Sequence, residues 1–293
     1  MAKSILPPYA VCAFRLSYIM HLSILKPVLL VITLLALVAC ASPKPAVDFD
    51  AILTAEDIEP ERAALLIVRP SDGKTWSHGG ARLDSRFVAA STSKIPHSFI
   101  ALENGYVTGP DMVFTWDGTE RWASSWNQDQ TMRQAYARSA VWVFQDIART
   151  LGPAVMGDGL RDFDYGNHDI GGPDDLTTYW LSGPLKISAR EQVAFLTKLH
   201  NETFPLKPQT YAVGKAIMKA AGEANRYAKT GWYYSETAQD IGWYVGWQEY
   251  PTPDGVGVYV FAFNMDMDDR DADPPKRMRA VDSALTALRQ SEQ

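Results

Sequence analysis

The sequence is poor in cysteine and histidine, and it has no excess of positive charge. Only two cysteines are present, and the five histidines lie too far apart for the short spacing of a helical zinc motif. The 28 basic residues are outnumbered by 34 acidic ones, which gives a formal charge of −6 and argues against a nucleic-acid surface held by charge. These shortages predict a protein with no metal centre and no nucleic-acid partner.

The chain does contain enough apolar side chains for a folded core. Hydrophobic residues make up 46% of the sequence and no repeat period is visible, which excludes a disordered or repetitive protein. A length of 293 residues suits one large domain or a two-lobed one. We assign residues 48–293 to this folded domain.

The N-terminal segment predicts an export signal. Sparse positive charge precedes the apolar run Val28–Ala39, which is shorter than the roughly 20 residues of a membrane span and fits the apolar part of a secretory signal. Because the run closes on Cys40, residues 1–39 resemble a bacterial lipoprotein signal with Cys40 as the lipidation site. A buried free cysteine is the alternative. Residues 40–47 then form a short tether.

These features predict a protein on the periplasmic side, anchored by its lipid to the outer membrane of a Gram-negative bacterium and without other membrane contact. Ala41 and Ser42, rather than Asp, follow the lipidation site, which favours the outer membrane. Cys12 lies in the leader, so the mature chain would keep only Cys40 and form no intrachain disulfide. We hypothesise that translation begins at Met20, which starts a more conventional leader than the first residue does.

The apolar pattern predicts strands at both ends of the folded domain and helices between them. Ala63–Arg69 and Lys74–His78 flank Asp72-Gly73 and indicate a hairpin. Three more strands and five helices are predicted at Arg226–Trp232, Ile241–Tyr250, Val256–Met265, and at Lys94–Leu102, Met132–Leu151, Ala189–His200, Pro208–Ala221 and Pro275–Gln290. We therefore expect an α/β (α+β) fold, in which helices flank an antiparallel sheet. A helical lobe, roughly residues 105–220, would be inserted between sheet segments, with a cleft between lobe and sheet edge.

Four short motifs follow one another along the chain. The first, Ser91-Thr92-Ser93-Lys94, opens a predicted helix, where residues i and i+3 share a face, so Lys94 can lie beside the Ser91 hydroxyl. Ser91 at a helix N-terminus also has a backbone N–H free to donate to an oxyanion. A lone Ser-x-x-Lys is more often a capping serine and a solvated lysine. The other three motifs are Ser139-Ala140-Val141, Tyr165-Gly166-Asn167 and Lys229-Thr230-Gly231. Their combination in this order is typical of penicillin-recognising serine enzymes.

From about residue 63 to its C-terminus the chain resembles the class D (oxacillinase-type) serine β-lactamases of that superfamily. Besides the four motifs, the resemblance includes the blocks Phe114–Gly118, Ser139–Ala148, Tyr179–Ser188 and Ile241–Trp247. The middle motif is Ser-Ala-Val and not the Ser-Asp-Asn of class A enzymes, which favours class D. The resemblance implies a serine β-lactamase/penicillin-binding transpeptidase-like fold, a monomer or homodimer, and hydrolysis of the β-lactam ring of penicillin-type antibiotics, which confers resistance.

The resemblance also implies the chemistry of the site. Ser91 would be the acylated nucleophile. Lys94, carbamylated by CO2 to N6-carboxylysine, would act as general base in acylation and deacylation, with no other cofactor. Ser139 would relay a proton to the leaving lactam nitrogen, and Lys229 would supply positive charge beside it.

Further residues would shape the site around these four. By the same resemblance, Trp180 hydrogen-bonds the carbamate, while Val141 and Leu181 form apolar walls that exclude water from it. The backbone N–H groups of Ser91 and Trp232 would form the oxyanion hole.

Substrate binding is assigned to the fourth motif, Lys229-Thr230-Gly231, and to the last helix. Thr230, with Gly231 beside it, and Arg277 would bind the substrate carboxylate. A guanidinium offers a planar fork for a carboxylate, which a lysine cannot copy. Arg279 is a rival for the role of Arg277.

One residue, Ser93, departs from the family pattern. Ser93 stands where the family usually has Phe, so we hypothesise weaker retention of the carbamate and activity that rises with added bicarbonate.

Three alternatives to β-lactam hydrolysis remain open. They are a β-lactam sensor that is acylated but not turned over, a peptidoglycan carboxypeptidase or transpeptidase, and a degenerate, purely structural site.

Overall fold

The computed structural model describes residues 46–220, 222, 225–253 and 255–292. The predicted signal 1–39, with Cys12 and Met20, and the lipidation site Cys40 lie outside these residues, so the expectations for them stay predictions. Within the described residues, no helix combines the length and the apolar character needed to cross a membrane.

Five antiparallel strands form the central sheet, and two short strand pairs lie beside it. In chain order the strands are β1 (Ala63–Arg69), β2 (Lys74–His78), β3 (Phe87–Val88), β4 (Val113–Phe114), β5 (Gln130–Thr131), β6 (Lys186–Ile187), β7 (Arg226–Tyr233), β8 (Asp240–Thr252) and β9 (Gly255–Met267). The sheet order is β2-β1-β9-β8-β7, and β3 pairs with β6 and β4 with β5. The predicted hairpin β1–β2 is confirmed, and β8 also pairs with β9 in antiparallel orientation. Strand β7 is therefore an edge strand.

Helices cover both faces of this sheet. They are α1 (Phe49–Ala55), α2 (Lys94–Glu103), α3 (Met132–Ala137), α4 (Val141–Asp162), α5 (Ala189–His200), α6 (Pro208–Met218) and α7 (Asp273–Glu292). The predicted fold class, an antiparallel sheet flanked by helices, is confirmed.

Alternation along β1 shows how the two layers are held on the sheet. Ala63, Leu65 and Ile67 pack in one apolar cluster with residues of α1 and α7. Ala64 and Leu66 point to the opposite face and pack with residues of α2 to α6. All five are buried, and a fully buried Leu or Ile contributes about 1.5–3 kcal/mol through the hydrophobic effect. The period of two thus fixes which strand residues face the helical middle of the chain.

The single helix predicted over Met132–Leu151 is wrong. Thr131 and Gln134 form a capping box that starts α3, but this helix ends at Ala137. Ser139 then adopts a left-handed backbone with φ of 57°, and a new helix starts at Val141. Gly152 breaks this helix, as predicted from Gly152-Pro153, but helical turns resume after the break and continue to Asp162.

Two other helices differ from the prediction. Helix α6 ends at Met218 and not at Ala221, because Lys219 pairs with Tyr227 of β7 in an isolated β-bridge. Helix α1 was not predicted. The side chain of Asp48 caps it by accepting a hydrogen bond from the Ala51 N–H at 3.0 Å.

Candidate active site

Ser91 and Lys94 lie together at the start of α2. Residues Ala90–Ser93 form a 3-10 turn that runs directly into the helix. Lys94 Nζ donates a hydrogen bond to Ser91 Oγ at 2.8 Å, so the contact predicted from the i, i+3 spacing is present. Ala90 has a φ of 49°, a left-handed conformation that costs a non-glycine residue roughly 1–2 kcal/mol. Strain of this kind is common next to functional groups, and here it precedes the predicted nucleophile.

The amine of Lys94 is buried without a negatively charged partner. Its side chain has no exposed surface, and Nζ lies 5.1 Å from the ring centroid of Phe144. In the described part of the chain no carboxylate forms an ion pair with it. Burial and, to a smaller extent, the charge of Lys229 hold the pKa of Lys94 well below its ordinary value. The neutral amine is thus favoured, which is the form that can accept a proton or react with CO2.

The surroundings of Lys94 fit a carbamate on this amine. The indole Nε1–H of Trp180 is buried and has no hydrogen-bond partner among the residues described. An indole can only donate, and a buried donor left unpaired costs about 1–3 kcal/mol. The ring of Trp180 packs edge-on against His97 at 4.8 Å, and His97 lies 6.4 Å from the same Phe144 ring that Lys94 contacts. An acceptor on Lys94 would therefore lie in the pocket that holds this unpaired donor.

Lys229 is a second buried amine on the edge strand β7. It is 4% exposed, and its Nζ donates to the Thr230 carbonyl oxygen at 3.0 Å. Burial and, after it, the charge of Arg277 lower the pKa of Lys229 to about 7. Gly231 beside it packs closely: a Cβ there would lie 3.0 Å from Thr92 Cγ2, so Thr92 would have to move by a few tenths of an ångström. This glycine lets β7 approach the turn that carries Ser91.

Arg277 reaches the same strand from α7. Its side chain is almost fully buried and donates to the carbonyl oxygen of Gly231 and, at 2.9 Å, to that of Pro274. Burial lowers the pKa of Arg277 to about 10. Arg279 instead pairs with Glu56 at 2.7 Å. Of the two candidate arginines, the structure thus places Arg277 beside the Lys-Thr-Gly motif.

Ser139 lies between α3 and α4. Its backbone N–H donates to the Tyr136 carbonyl at 3.2 Å, and the ring centroid of Tyr136 lies 5.7 Å from Lys229 Nζ. Val141 and Leu181 are half-buried and pack against the apolar cluster that contains Trp180. Each predicted wall residue therefore borders this cluster.

Trp232 contributes its backbone to the edge of the site. Its side chain is half-buried, and Nε1 donates to Asp240 Oδ2 at 3.1 Å. Because β7 is an edge strand, every second backbone N–H of β7 points away from β8, to a side where no strand of the central sheet lies. A backbone donor from this strand is therefore compatible with the predicted oxyanion hole.

The Tyr165-Gly166-Asn167 motif ties two parts of the site together. The Tyr165 hydroxyl lies 3.1 Å from Thr92 Oγ1, inside the turn that carries Ser91. Asn167 Nδ2 donates to the Pro184 carbonyl at 2.8 Å, and its Oδ1 accepts from the Lys186 N–H at 2.9 Å. The motif thus positions the segment that follows Trp180 relative to the turn.

Sequence reasoning missed His97 as part of this pocket. It is fully buried, and its Nε2 lies 2.7 Å from the Tyr179 hydroxyl. Burial and then the charge of Lys94 lower the pKa of His97 to about 3, so its ring is neutral. The signal was its spacing: His97 follows Lys94 by three residues on a helix and shares its face. Among the described residues, no group of His, Cys, Asp or Glu side chains could hold a metal ion.

The site contains a serine hydroxyl that is hydrogen-bonded to a buried lysine, a second serine, and a lysine on an edge strand. This combination is that of a serine acyl-transfer enzyme.

Residues 63–282 match the penicillin binding protein transpeptidase domain. The chain is 41% identical over 191 residues to the β-lactamase OXA-48 of Klebsiella pneumoniae, covering 60% of this chain and 71% of that protein. It is 39% identical over 173 residues to the β-lactamase OXA-2 of Salmonella typhimurium, covering 58% and 60%.

Two solved structures are similar over most of the described fold. The class D β-lactamase YbXI from Nostoc has a TM-score of 0.76 and 34% identity, covering 83% of this chain and 99% of that one. The class D β-lactamase FUS-1 (OXA-85) from Fusobacterium nucleatum subsp. polymorphum has a TM-score of 0.74 and 32% identity, covering 82% and 96%. The chain belongs to the class D β-lactamases, within the penicillin-binding transpeptidase-domain family. The predicted resemblance is confirmed.

Proposed function

We propose that this protein hydrolyses the β-lactam ring of penicillin-type antibiotics through an acyl-enzyme on Ser91, and so confers resistance to them. The observation that carries the proposal is the 2.8 Å hydrogen bond between Lys94 Nζ and Ser91 Oγ, made by a fully buried amine that no carboxylate in the described chain neutralises. The names of the curated relatives, all β-lactamases, support the same reaction.

Acylation requires that Ser91 lose its proton as it attacks the lactam carbonyl. Lys94 is the group within hydrogen-bond distance, and burial keeps its amine in the form that can take the proton. A carbamate on Lys94, held by Trp180 Nε1–H, would supply a carboxylate-like base at this position. Ser139 then passes a proton to the leaving nitrogen, and the backbone N–H groups of Ser91 and Trp232 hold the carbonyl oxygen.

Lys229 and Arg277 bind the carboxylate that penicillin-type molecules carry on the fused ring, and the Thr230 hydroxyl donates to it. Both cations are buried, and neither has a carboxylate partner among the residues described. A buried cation without a partner favours an incoming anion. In the second half of the reaction, a water molecule loses its proton to the base that served Ser91 and attacks the acyl carbonyl; the bond from that carbon to Ser91 Oγ breaks, Ser91 regains a proton from the base, and the ring-opened acid leaves.

A chromogenic cephalosporin separates this function from its alternatives. Many turnovers per protein molecule are expected. A single stoichiometric burst would favour the sensor or the peptidoglycan transpeptidase instead, and the absence of a burst would favour a structural site.

Trp180→Phe tests the proposed carbamate. The substitution keeps an aromatic ring but removes the unpaired N–H, so we expect kcat to fall by roughly 10²-fold and to recover in part with added bicarbonate. Trp247→Phe is the matched control, because Trp247 Nε1 is also buried and unpartnered but its ring stacks on Tyr227, on strand β7. Bicarbonate dependence that is the same in both variants would contradict the role of Trp180.

Ser93 bears on the same chemistry. Its hydroxyl is fully buried and donates to the Ala90 carbonyl at 2.7 Å, so a small polar group occupies a place beside Lys94. This placement supports the hypothesis that the carbamate is retained weakly. Activity of the unmodified protein should then rise with bicarbonate at saturating substrate, and equal rates would remove the hypothesis.

Arg277→Lys should raise KM by roughly 10-fold or more with a smaller change in kcat, since a charged hydrogen bond is worth about 1.5–3 kcal/mol. A lysine keeps the charge but not the fork of donors. Arg279→Lys is the control, because that arginine forms a half-exposed pair with Glu56. Steady-state kinetics on a penicillin measure both. A larger effect of Arg279→Lys than of Arg277→Lys would contradict the assignment.

We also propose export to the periplasmic side and a lipid anchor on Cys40, with the protein a monomer or homodimer. The segment closing on Cys40 supports this location, although it lies outside the described residues. Fractionation of cells expressing the full chain tests it: recovery in the cytoplasm would contradict the proposal.

A further inference from the structure

A cavity of about 880 Å³ adjoins the candidate active site on the side of α3 and α6. It reaches the site through Lys229 and Thr230, which belong to its lining. Its floor is formed by buried side chains, among them Tyr136 and Met218. The cavity is thus continuous with the place where the substrate carboxylate is proposed to bind.

Among the residues described, the charged side chains that line this cavity are all basic. Besides Lys229, the cations Arg133, Arg138 and Lys219 line it, and the lining contains no Asp or Glu among the residues described. This contrasts with the chain as a whole, whose formal charge is −6. A concave wall with charges of one sign concentrates ligands of the opposite sign.

Among the residues described, none of these three cations has a carboxylate within 3.5 Å. Arg133 donates to the Ala216 carbonyl oxygen at 2.8 Å, a neutral acceptor, and its Nε lies 3.7 Å from a carboxylate oxygen of Asp111, which is 80% exposed. Arg138 donates to the side-chain oxygen of Gln130 at 3.1 Å, a neutral acceptor. No ion pair of Lys219 is present in the described part of the chain. The cations therefore remain able to interact with an anion that enters the cavity.

We propose that this cavity is an anion subsite, which binds a second acidic group of the β-lactam, carried on the fused ring next to the ring carboxylate. The inference rests on the proposed function, because Thr230 and Arg277 fix the ring carboxylate at the mouth of the cavity. In a cephem ring the C3 substituent is attached next to the carbon that bears the carboxylate. A carboxylate or sulfonate on C3 therefore points toward Arg133, Arg138 and Lys219. The subsite makes the enzyme prefer dianionic to monoanionic cephems.

The test compares two cephems that differ only in whether the C3 substituent carries a carboxylate or its uncharged amide. The ratio of kcat/KM for the acid to that for the amide should exceed one and should shrink as NaCl rises from low to high concentration. Replacing Arg133, Arg138 and Lys219 with Gln should lower this ratio by about two- to fivefold for each cation removed.

Lys198→Gln is the matched control, since it removes one exposed charge from α5, outside the cavity lining. The ratio should stay unchanged in this variant. An unchanged ratio in the triple variant, or an equal fall in the control, would overturn the subsite while leaving hydrolysis intact. Absence of turnover in the unmodified protein would instead count against the proposed function. The salt series uses only the unmodified protein, so it tests the subsite even if the triple variant fails to fold.

Discussion

Ser91→Ala should abolish covalent labelling by penicillins and lower kcat/KM by roughly 10⁴-fold or more, because removal of a catalytic nucleophile leaves only the binding and oxyanion contributions. Hydrolysis of a chromogenic cephalosporin and the intact mass of the protein after exposure to penicillin measure the two effects. The backbone of the Ser91 turn should be unaffected, since alanine fits the same 3-10 turn.

A second Ser-x-x-Lys motif in the chain provides the control. Ser71 and Lys74 flank the β1–β2 turn, and Lys74 is half-exposed with its Nζ 3.2 Å from Glu292. Ser71→Ala should leave acylation and turnover unchanged. Acylation that survives Ser91→Ala, or that is lost in Ser71→Ala, would contradict the assignment of the nucleophile.

Lys94→Ala should slow both acylation and release of the acyl group, with kcat falling by roughly 10²- to 10⁴-fold, the range for loss of a general base. The slow release should leave a long-lived adduct on Ser91, seen by mass spectrometry. Added bicarbonate should not restore activity, because the amine that reacts with CO2 is missing.

Lys94→Ala also leaves a cavity in place of a fully buried side chain, which lowers the stability of the fold. A second variant therefore separates loss of the base from loss of the fold. Lys94→Met keeps much of the volume but has no nitrogen, and it should show the same kinetic defect. The exposed Lys74→Ala is the matched control. Release of the acyl group at the normal rate in both Lys94 variants would contradict a role for Lys94 in the second step.

Local features of the sequence predicted the parts of the site that depend on local geometry. The contact between Ser91 and Lys94 follows from helical spacing alone, because residues i and i+3 share a face. The β1–β2 hairpin followed from the turn residues Asp72-Gly73 between two runs with strand character. Such signals involve neighbours within a few residues, so they do not depend on how the chain packs.

The position of Ser139 could not be predicted in this way. Its left-handed backbone is unusual for a residue other than glycine, and the apolar period continues through it. The neighbouring contact is also non-local: Tyr136, three residues before Ser139, has its ring centroid 5.7 Å from Lys229 Nζ, a residue far away in the sequence. A functional site is where local preference and the final structure are expected to disagree.

The choice between Arg277 and Arg279 was open, but the sequence held a signal for it. Two residues on a helix that are separated by one other lie on nearly opposite faces, so only one of these arginines can face the sheet. Ala280, Ala284 and Leu288 are buried, and their spacing places Arg277 on the same face. His97 was signalled by its spacing from Lys94, but the contact between His97 and Trp180 had no such signal, because it joins segments far apart in the chain.

The most direct test of the proposed mechanism is a time course of intact-protein mass spectrometry after brief exposure to a penicillin, with peptide mapping of the adduct. We expect a mass increase equal to one penicillin, located on Ser91, which disappears as the drug is consumed. An adduct that persists after the free drug is gone, or that maps to another residue, would contradict hydrolysis through Ser91.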